Sequence, residues 1–225
     1  MMISLELLVV LFAGVILMCI PISIQMKWYA ISPRKSIVIS VALVLTGVFG
    51  SQLWYFIENL SFGGRSFYGA IAFAPIVFFP LSKFLRLTYC ETMDFVAPAG
   101  CLTLALVKVQ CLRDGCCIGK ILYIDENQMY VRFPSQIVEL VIFLILSIVL
   151  FVLSKKEKQR GTIYVWFLLL YGITRFILNW FRAESEPFAL GLTAGCFWSL
   201  CSIVVAVSIF IFIKRKKLSN TQKVN

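Results

Sequence analysis

Two cationic side chains lie inside long apolar stretches of this sequence, where a charge is hardest to accommodate. Lys108 falls within the apolar stretch 93–111, and Arg175 falls within the stretch 162–181. A charged side chain at the centre of a membrane-spanning helix costs roughly 2.5–3.5 kcal/mol on insertion scales, so it is retained where it has a function. The planar guanidinium of arginine is a natural ligand of phosphate. The two cations therefore predict a site for an anionic group.

Other polar residues accompany the two cations at helical spacing. Tyr171, Arg175 and Asn179 follow one another at four-residue intervals and form one polar stripe on an otherwise apolar helix. Gln136 and Glu139 share a helix face at the start of the apolar stretch 136–153. These residues are predicted to line the same site.

A third polar group precedes the apolar stretch 67–82. Gly63 and Gly64 permit a close approach of the backbone to a ligand or to another helix. Arg65 and Tyr68 are three residues apart and share a face if the segment is helical. This group is also predicted to contribute to the site.

Each of these residues also has a simpler interpretation. Arg65, Arg132 and Arg182 would reach the membrane interface as snorkelling side chains, the paired glycines would form a turn, and the tyrosines would belong to the interfacial aromatic belt. Lys108 and Arg175 resist that interpretation, because neither lies at the basic end of its helix. Together the polar residues indicate a pocket for an anionic headgroup.

Three of the eight cysteines, Cys111, Cys116 and Cys117, cluster at the end of one apolar stretch. A zinc site is one alternative for this cluster, but the sequence contains no histidine and no CxxC spacing, so no metal site and no cofactor are predicted. A disulfide from Cys111 to one of the paired cysteines is an alternative, and packing as small apolar side chains is the leading interpretation.

The elements that must position these residues are membrane-spanning helices. The chain is 60% hydrophobic and 14% charged, with a mean hydropathy of +0.92, whereas a soluble domain carries about 25% charged residues. A span needs about 20 mainly apolar residues. Seven stretches qualify, and the third is short with two prolines, which predicts a kink or a re-entrant segment. The stretches are 4–24, 37–57, 67–82, 93–111, 136–153, 162–181 and 188–213. Their continuous apolar character excludes a transmembrane β-barrel.

The distribution of basic residues predicts the orientation. Fourteen of the 21 lysine and arginine residues lie in alternate connections and in the C-terminal tail, and five lie in the opposite connections. The richer side is cytoplasmic by the positive-inside rule, so the C-terminus is predicted inside and the N-terminus outside. The first apolar stretch follows a leader with Glu6 and no cation, which is unlike a removable signal peptide. We therefore expect an all-α polytopic protein with one transmembrane domain over 1–225 and a short basic cytoplasmic tail at 214–225.

Five segments, in this order, resemble motifs of the prolipoprotein diacylglyceryl transferase family. Gly115 to Lys120, for example, reads GCCIGK and is similar to the family's GCCYGK, and Arg132 to Glu139 reads RFPSQIVE and is similar to its RYPSQLYE. The other three segments are Lys27-Trp28-Tyr29, Gly63 to Gly69, and Tyr171 with Arg175 and Arg182. The resemblance covers most of the chain. Members of this family have seven spans, with the N-terminus outside.

The resemblance implies a bacterial cytoplasmic-membrane enzyme with its site towards the outer leaflet. The family transfers the diacylglyceryl group of phosphatidylglycerol to the lipobox cysteine of a preprolipoprotein; no nucleic acid is implied. By position, Lys108 and Arg175 match essential arginines, and Tyr68 matches a position often filled by histidine. The implied binding residues are Tyr29, Gly63, Gly64, Arg65, Arg132, Gln136, Glu139, Tyr171 and Asn179.

This sequence departs from the family pattern at the site. Lys108 replaces an arginine, Asn179 replaces a glutamate, and Ala70 replaces a glycine. Two alternatives to a transferase therefore remain open. One is a catalytically weak paralogue that binds lipid or lipoprotein without turnover. The other is a transporter, although no internal repeat is seen and the polar residues gather towards one leaflet.

Overall fold

The computed structural model describes residues 5–61, 66–124, 129–156, 161–183 and 187–222. Seven α-helices account for most of these residues, and four short strands form two hairpins. The helices are α1 (Leu5–Trp28), α2 (Lys35–Asn59), α3 (Phe67–Phe84), α4 (Tyr89–Asp114), α5 (Ser135–Lys156), α6 (Thr162–Asn179) and α7 (Ala194–Gln222). The strands are β1 (Ile121–Ile124), β2 (Tyr130–Arg132), β3 (Pro187–Ala189) and β4 (Leu192–Thr193).

The seven helices confirm the predicted all-α polytopic membrane architecture. Six of the described helices are long and apolar enough to cross a membrane, and Phe12–Trp28 is a shorter apolar helix. Many large apolar side chains are exposed along them, such as Phe49 at 64% and Ile148 at 63%. An apolar exterior is the surface that a bilayer requires, so the protein is a multi-pass membrane protein. The orientation of its termini stays a prediction.

The third stretch forms α3, a continuous helix of 18 residues that contains Pro75 and Pro80, and the expected kink or re-entrant course stays a prediction. The expected start of the last span differs from the structure. The last span does not begin at residue 188, because the antiparallel pair β3 and β4 occupies residues 187–193. This pair is rich in apolar residues, so composition alone could not separate it from the helix that follows.

The chain divides into two compact units. The first unit comprises residues 1–103 and 147–163, and the second comprises residues 104–146 and 164–225. The single-domain interpretation of the sequence stays a prediction, and each unit is described by itself.

Within the first unit, α2 and α3 pack with their backbones in close approach. A Cβ atom added to Gly69 would lie 2.0 Å from the carbonyl oxygen of Gly50 and 2.4 Å from Cβ of Trp54, so only glycine fits there. The backbone N–H of Ser66 donates to the carbonyl of Ser51 at 2.9 Å and fixes the start of α3.

Within the second unit, α6 and α7 pack in the same way. A Cβ atom at Gly172 would meet Cγ1 of Ile203 at 2.8 Å and the carbonyl oxygen of Ser199 at 3.0 Å. The Ser202 hydroxyl donates to the carbonyl of Leu168 at 2.9 Å. These contacts hold in place the helix that carries Arg175.

Candidate functional site

Four charged residues of the second unit meet around the carboxylate of Glu139, which is 0% exposed. Nζ of Lys108 lies 2.6 Å from Oε2 of Glu139. Nη1 of Arg175 lies 3.0 Å from both carboxylate oxygens, and Nη1 of Arg182 lies 3.4 Å from Oε1. We call Lys108, Glu139, Arg175 and Arg182 the Glu139 cluster.

Three helices and one helix end bring this cluster together. Lys108 lies near the end of α4, Glu139 lies one turn into α5, and Arg175 lies one turn before the end of α6. Arg182 follows α6 in a turn, where its backbone N–H donates to the carbonyl of Asn179 at 3.3 Å. Three cations, one on α4 and two at the end of α6, thus share the carboxylate of Glu139.

The electrostatics of the Glu139 cluster favour an additional anion. Glu139 carries one negative charge and faces three cations, so this carboxylate by itself neutralises one of their three charges. The side chains of Lys108, Arg175 and Arg182 are only 8%, 16% and 20% exposed, so water screens them poorly. A phosphate group placed here would meet preorganised positive charge and N–H donors.

The segment 115–120 packs closely against the start of α5 and the end of α6. A Cβ atom on Gly119 would lie 2.1 Å from the carbonyl oxygen of Phe133, so the position requires glycine. The N–H of Lys120 donates to the carbonyl of Phe181 at 2.9 Å, and the rings of Phe133 and Phe181 stack with centroids 4.9 Å apart. This contact holds the segment that precedes Glu139 next to the one that carries Arg182.

Two side chains at the start of α5 fasten the same segment. The Ser135 hydroxyl donates to the carbonyl of Cys117, and Nε2 of Gln136 donates to the carbonyl of Cys116, both at 2.6 Å. Gln136 was predicted to line the site, and the structure gives it a backbone carbonyl as a partner. Its position one turn before Glu139 ties the cysteine segment to the Glu139 cluster.

The three clustered cysteines come together in the structure. The Sγ atoms of Cys111, Cys116 and Cys117 all lie within 4.8 Å of one another, and all three thiols are free. The pKa of the Cys117 thiol lies below its ordinary value. The hydrogen bond from Cys111 lowers this pKa most, and the positive charges of Lys108 and Arg182 lower it further, against burial and the charge of Glu139. Among the described residues, these cysteines are the group with the donor atoms for a metal ion.

Three other predicted binding residues lie in the second unit. Tyr171 is 2% exposed, and its ring stacks between those of Phe143 and Phe167 at 5.9 Å. Nδ2 of Asn179 donates to the hydroxyl of Thr193 at 2.6 Å. Nη1 of Arg132 lies 3.5 Å from the carbonyl of Gly119.

The remaining predicted residues belong to the first unit. The hydroxyl of Tyr29 donates to the carbonyl of Ser154 at 3.3 Å, and its ring meets Phe95 edge-on. Tyr68 is buried in the first turn of α3. Gly63, Gly64 and Arg65 lie outside the described residues, so their predicted role is not addressed by the structure.

Arg182 was predicted from the sequence to be a snorkelling side chain rather than a residue of the site. Arg182 instead contacts the same carboxylate as Arg175. The signal was present in the spacing, because residues seven apart lie on the same face of a helix. The turn after Asn179 weakened that signal, since it lies beyond the end of α6.

The family model described as "Prolipoprotein diacylglyceryl transferase" matches residues 7–212. A relative from Clostridium tetani, named phosphatidylglycerol–prolipoprotein diacylglyceryl transferase, is 24% identical over 74% of this chain and 76% of its own length. Relatives with the same name from Dehalococcoides mccartyi and Methylobacillus flagellatus are 27% and 29% identical. Their alignments cover 70% and 68% of this chain, and 65% and 63% of the relatives.

Proposed function

The chain belongs to the prolipoprotein diacylglyceryl transferase family, and we propose that it transfers the diacylglyceryl group of phosphatidylglycerol to the lipobox cysteine of a preprolipoprotein. It is a membrane transferase of bacterial lipoprotein biosynthesis. We place it in the cytoplasmic membrane, with its site towards the outer leaflet.

The single observation that supports this function best is the Glu139 cluster. A phosphodiester carries one negative charge, and the cluster offers three cations around one carboxylate. Cations buried in a membrane protein are costly and are retained where they have a function, and a phosphate is a ligand that suits these three. Phosphatidylglycerol brings that anion, and its acyl chains match the apolar surface of the helices.

We assign the phosphate of the lipid to Arg175, Lys108 and Arg182. The guanidinium of Arg175 presents several donors in a planar fork, which suits two phosphate oxygens at once. Lys108 adds a point charge on a flexible stem and takes the position of the family's arginine. Glu139 holds the three cations close together in the absence of lipid.

The reaction requires a thiolate and a stabilised leaving group. The sulfur of the lipobox cysteine attacks the carbon of the diacylglyceryl group that bears the phosphate. The bond from this carbon to the phosphate oxygen breaks, and a thioether forms. Glycerol phosphate leaves with the electron pair of the broken bond, and the cations stabilise that charge. The thiol has an ordinary pKa of ~8.5, so a positive site or a weak base is enough to deprotonate it.

Other residues are proposed to shape the site. Tyr68 occupies the position often filled by histidine in the family and is proposed as a catalytic residue, although an unperturbed tyrosine with a pKa of ~10 is a weak base. Gln136 and Asn179 position segments beside the cluster through their hydrogen bonds. The residues proposed to line the lipid are Tyr29, Gly63, Gly64, Arg65, Arg132 and Tyr171.

The alternative is a paralogue without turnover, and the relatives of this chain are named as transferases. In that interpretation Lys108 would have relaxed towards a structural partner such as Asp114. Asp114 instead accepts a hydrogen bond from Nε2 of Gln110 at 3.1 Å, and Lys108 lies at Glu139 beside Arg175. This arrangement suits a working phosphate site.

Complementation tests the proposed function. The gene is expressed in a bacterium depleted of its own transferase, and a reporter lipoprotein is analysed by mass spectrometry. We expect the wild-type chain and an Arg113→Ala control, altered at an exposed position, to restore the diacylglyceryl modification. A reporter that stays unmodified, although the chain is present in the membrane and a known transferase restores modification, would refute the proposal.

A further inference from the structure

The end of α4 is built so that three thiols converge. Gly115 has φ +64°, the left-handed conformation that ends a helix, and the N–H of Cys116 donates to the carbonyl of Cys111 at 3.2 Å. This is the Schellman pattern, which brings the side chains on either side of the helix end together. The spacing of Cys111 and Cys116 in the sequence is therefore the spacing that places their sulfurs side by side.

The third sulfur joins through an unusual backbone conformation. Cys117 has φ +58°, which is uncommon for a residue with a side chain. The Ser135 hydroxyl holds its carbonyl at 2.6 Å. The result is three Sγ atoms within 4.8 Å of one another, with Cys111 buried and Cys116 exposed.

We propose that Cys111, Cys116 and Cys117 bind one Zn²⁺ ion whose fourth coordination position takes the thiol of the acceptor cysteine. The inference rests on the proposed function and names a cofactor for the same site. Zinc that has three protein ligands and one open position is characteristic of catalytic rather than structural centres.

The geometry suits zinc. Tetrahedral coordination with Zn–S bonds of about 2.3 Å separates the sulfurs by about 3.8 Å, so the three thiols need to contract by about 1 Å at most. A disulfide would use two of the sulfurs and leave the third without a role, whereas a metal ion uses all three. The exposed Cys116 provides a route for the ion and for the fourth ligand.

The charge of the surroundings also suits a thiolate-bound ion. Three thiolates and Zn²⁺ together carry one negative charge, which suits a position near cations. Gln136 donates to the carbonyl of Cys116 and lies one turn before Glu139, so it links the cysteines to the cluster that is proposed to hold the phosphate. The metal would thus lie beside the group that leaves.

The chemistry deepens the transfer reaction without any other reactant. The acceptor R–SH binds Zn²⁺ through sulfur and releases its proton to solvent, because a coordinated thiol is deprotonated. This thiolate attacks the glycerol carbon, the S–C bond forms as the C–O bond breaks, and the electron pair leaves on glycerol phosphate. The product thioether is a weaker ligand, so the fourth position is released. A metal that supplies the thiolate removes the need for a strong base at Tyr68.

The test uses the full-length chain purified in lipid nanodiscs under reducing conditions. Zinc content is measured by mass spectrometry for wild type, Cys116→Ser, Cys117→Ser and a Cys201→Ser control, whose cysteine lies on α7 outside the group. Folding is checked by the helical circular dichroism of each variant. We expect about one Zn²⁺ per chain in wild type and in the Cys201→Ser control. The zinc affinity of Cys116→Ser and Cys117→Ser should be at least about tenfold weaker.

A second measurement tests the open position. Co²⁺ replaces zinc, and a lipobox peptide or its Cys→Ser analogue is added while the sulfur-to-cobalt charge-transfer absorption is recorded. We expect the cysteine peptide alone to increase this absorption. Any one of three results would overturn the inference. The wild-type chain could lack zinc, the folded Cys116→Ser and Cys117→Ser variants could keep zinc, or the cysteine peptide could leave the absorption unchanged.

Lipid transfer to the same peptide separates this inference from the proposed function. Transfer by a zinc-free Cys116→Ser variant at the wild-type rate would overturn the inference and leave the function standing. Zinc and peptide binding without any transfer by wild type would refute the function and leave the metal site standing.

Discussion

Lys108 and Glu139 meet at 2.6 Å, although one lies at the end of α4 and the other at the beginning of α5. Both side chains are almost fully buried, at 8% and 1% exposure. The pair is not isolated, because Arg175 and Arg182 contact the same carboxylate. A single acid that gathers three cations is the central feature of the proposed phosphate site, and the predictions below examine its parts.

Arg175→Ala is expected to abolish lipid transfer while the protein still inserts in the membrane. The substitution removes the cation that contacts both oxygens of Glu139 and that is proposed to hold the phosphate, so the rate should fall about 10²–10³-fold. Transfer to a lipobox peptide is measured in membranes, with Arg113→Ala as the exposed control. Wild-type transfer by Arg175→Ala would identify Arg175 as a purely structural partner of Glu139.

Glu139→Gln is expected to destabilise the protein. The amide cannot neutralise Lys108, Arg175 and Arg182, and removing one partner of a buried charge network costs about 3–5 kcal/mol. Thermal unfolding in nanodiscs measures the effect. Phosphatidylglycerol should raise the melting temperature of this variant more than it raises that of wild type, because its phosphate replaces the missing negative charge.

Diacylglycerol, which carries the same acyl chains without a phosphate, is the control for that experiment. An equal gain from both lipids, or a variant as stable as wild type in each, would show that the Glu139 cluster does not collect surplus positive charge.

Gly119→Ala is expected to impair transfer by displacing the segment 115–120. The added methyl group would overlap the carbonyl oxygen of Phe133, which lies 2.1 Å from the position of that Cβ. Gly47→Ala is the matched control, because a Cβ there meets nothing within 4 Å. Both variants are compared for transfer rate and melting temperature. A Gly119→Ala chain that matches Gly47→Ala in both would contradict the close packing.

The predicted orientation is tested by labelling single cysteines in intact cells, on a background without the native cysteines. Reporters within residues 112–135 should react with an impermeant reagent, and reporters within 155–160 should react only after the membrane is opened. The reason is that the connections on the side of residues 155–160 contain the excess of basic residues. Labelling of 155–160 in intact cells would reverse the orientation and move the site to the inner leaflet.

The sequence predicted the helices well because a bilayer imposes a simple requirement on them. Each span must be long and apolar, and the predicted third stretch 67–82 agrees with α3 over Phe67–Phe84 within two residues. The hairpins were missed because their strands are two to four residues long and lie beside apolar spans. Such short pairs are stabilised by their surroundings rather than by their own composition.

The candidate site was predicted in part. Lys108 and Arg175 were identified because charge at membrane depth is costly and therefore informative. The clustering of the three cysteines was also visible in the sequence, but the role of Arg182 and the way all three sulfurs meet were not, because each depends on how a helix ends. Gly115 and the turn after Asn179 redirect the chain there, and apolar periodicity carries no information about that direction.

The most direct test of the account is the transfer reaction itself, followed at Lys108. A lipobox peptide is incubated with phosphatidylglycerol and with wild type, Lys108→Arg or Lys108→Ala in nanodiscs, and the thioether product is measured by mass spectrometry. We predict that wild type forms the product and that Lys108→Ala forms none. Lys108→Arg should form as much product as wild type or more, because arginine donates two hydrogen bonds to phosphate. The absence of a thioether from both wild type and Lys108→Arg, where a known transferase forms it, would contradict the proposed function.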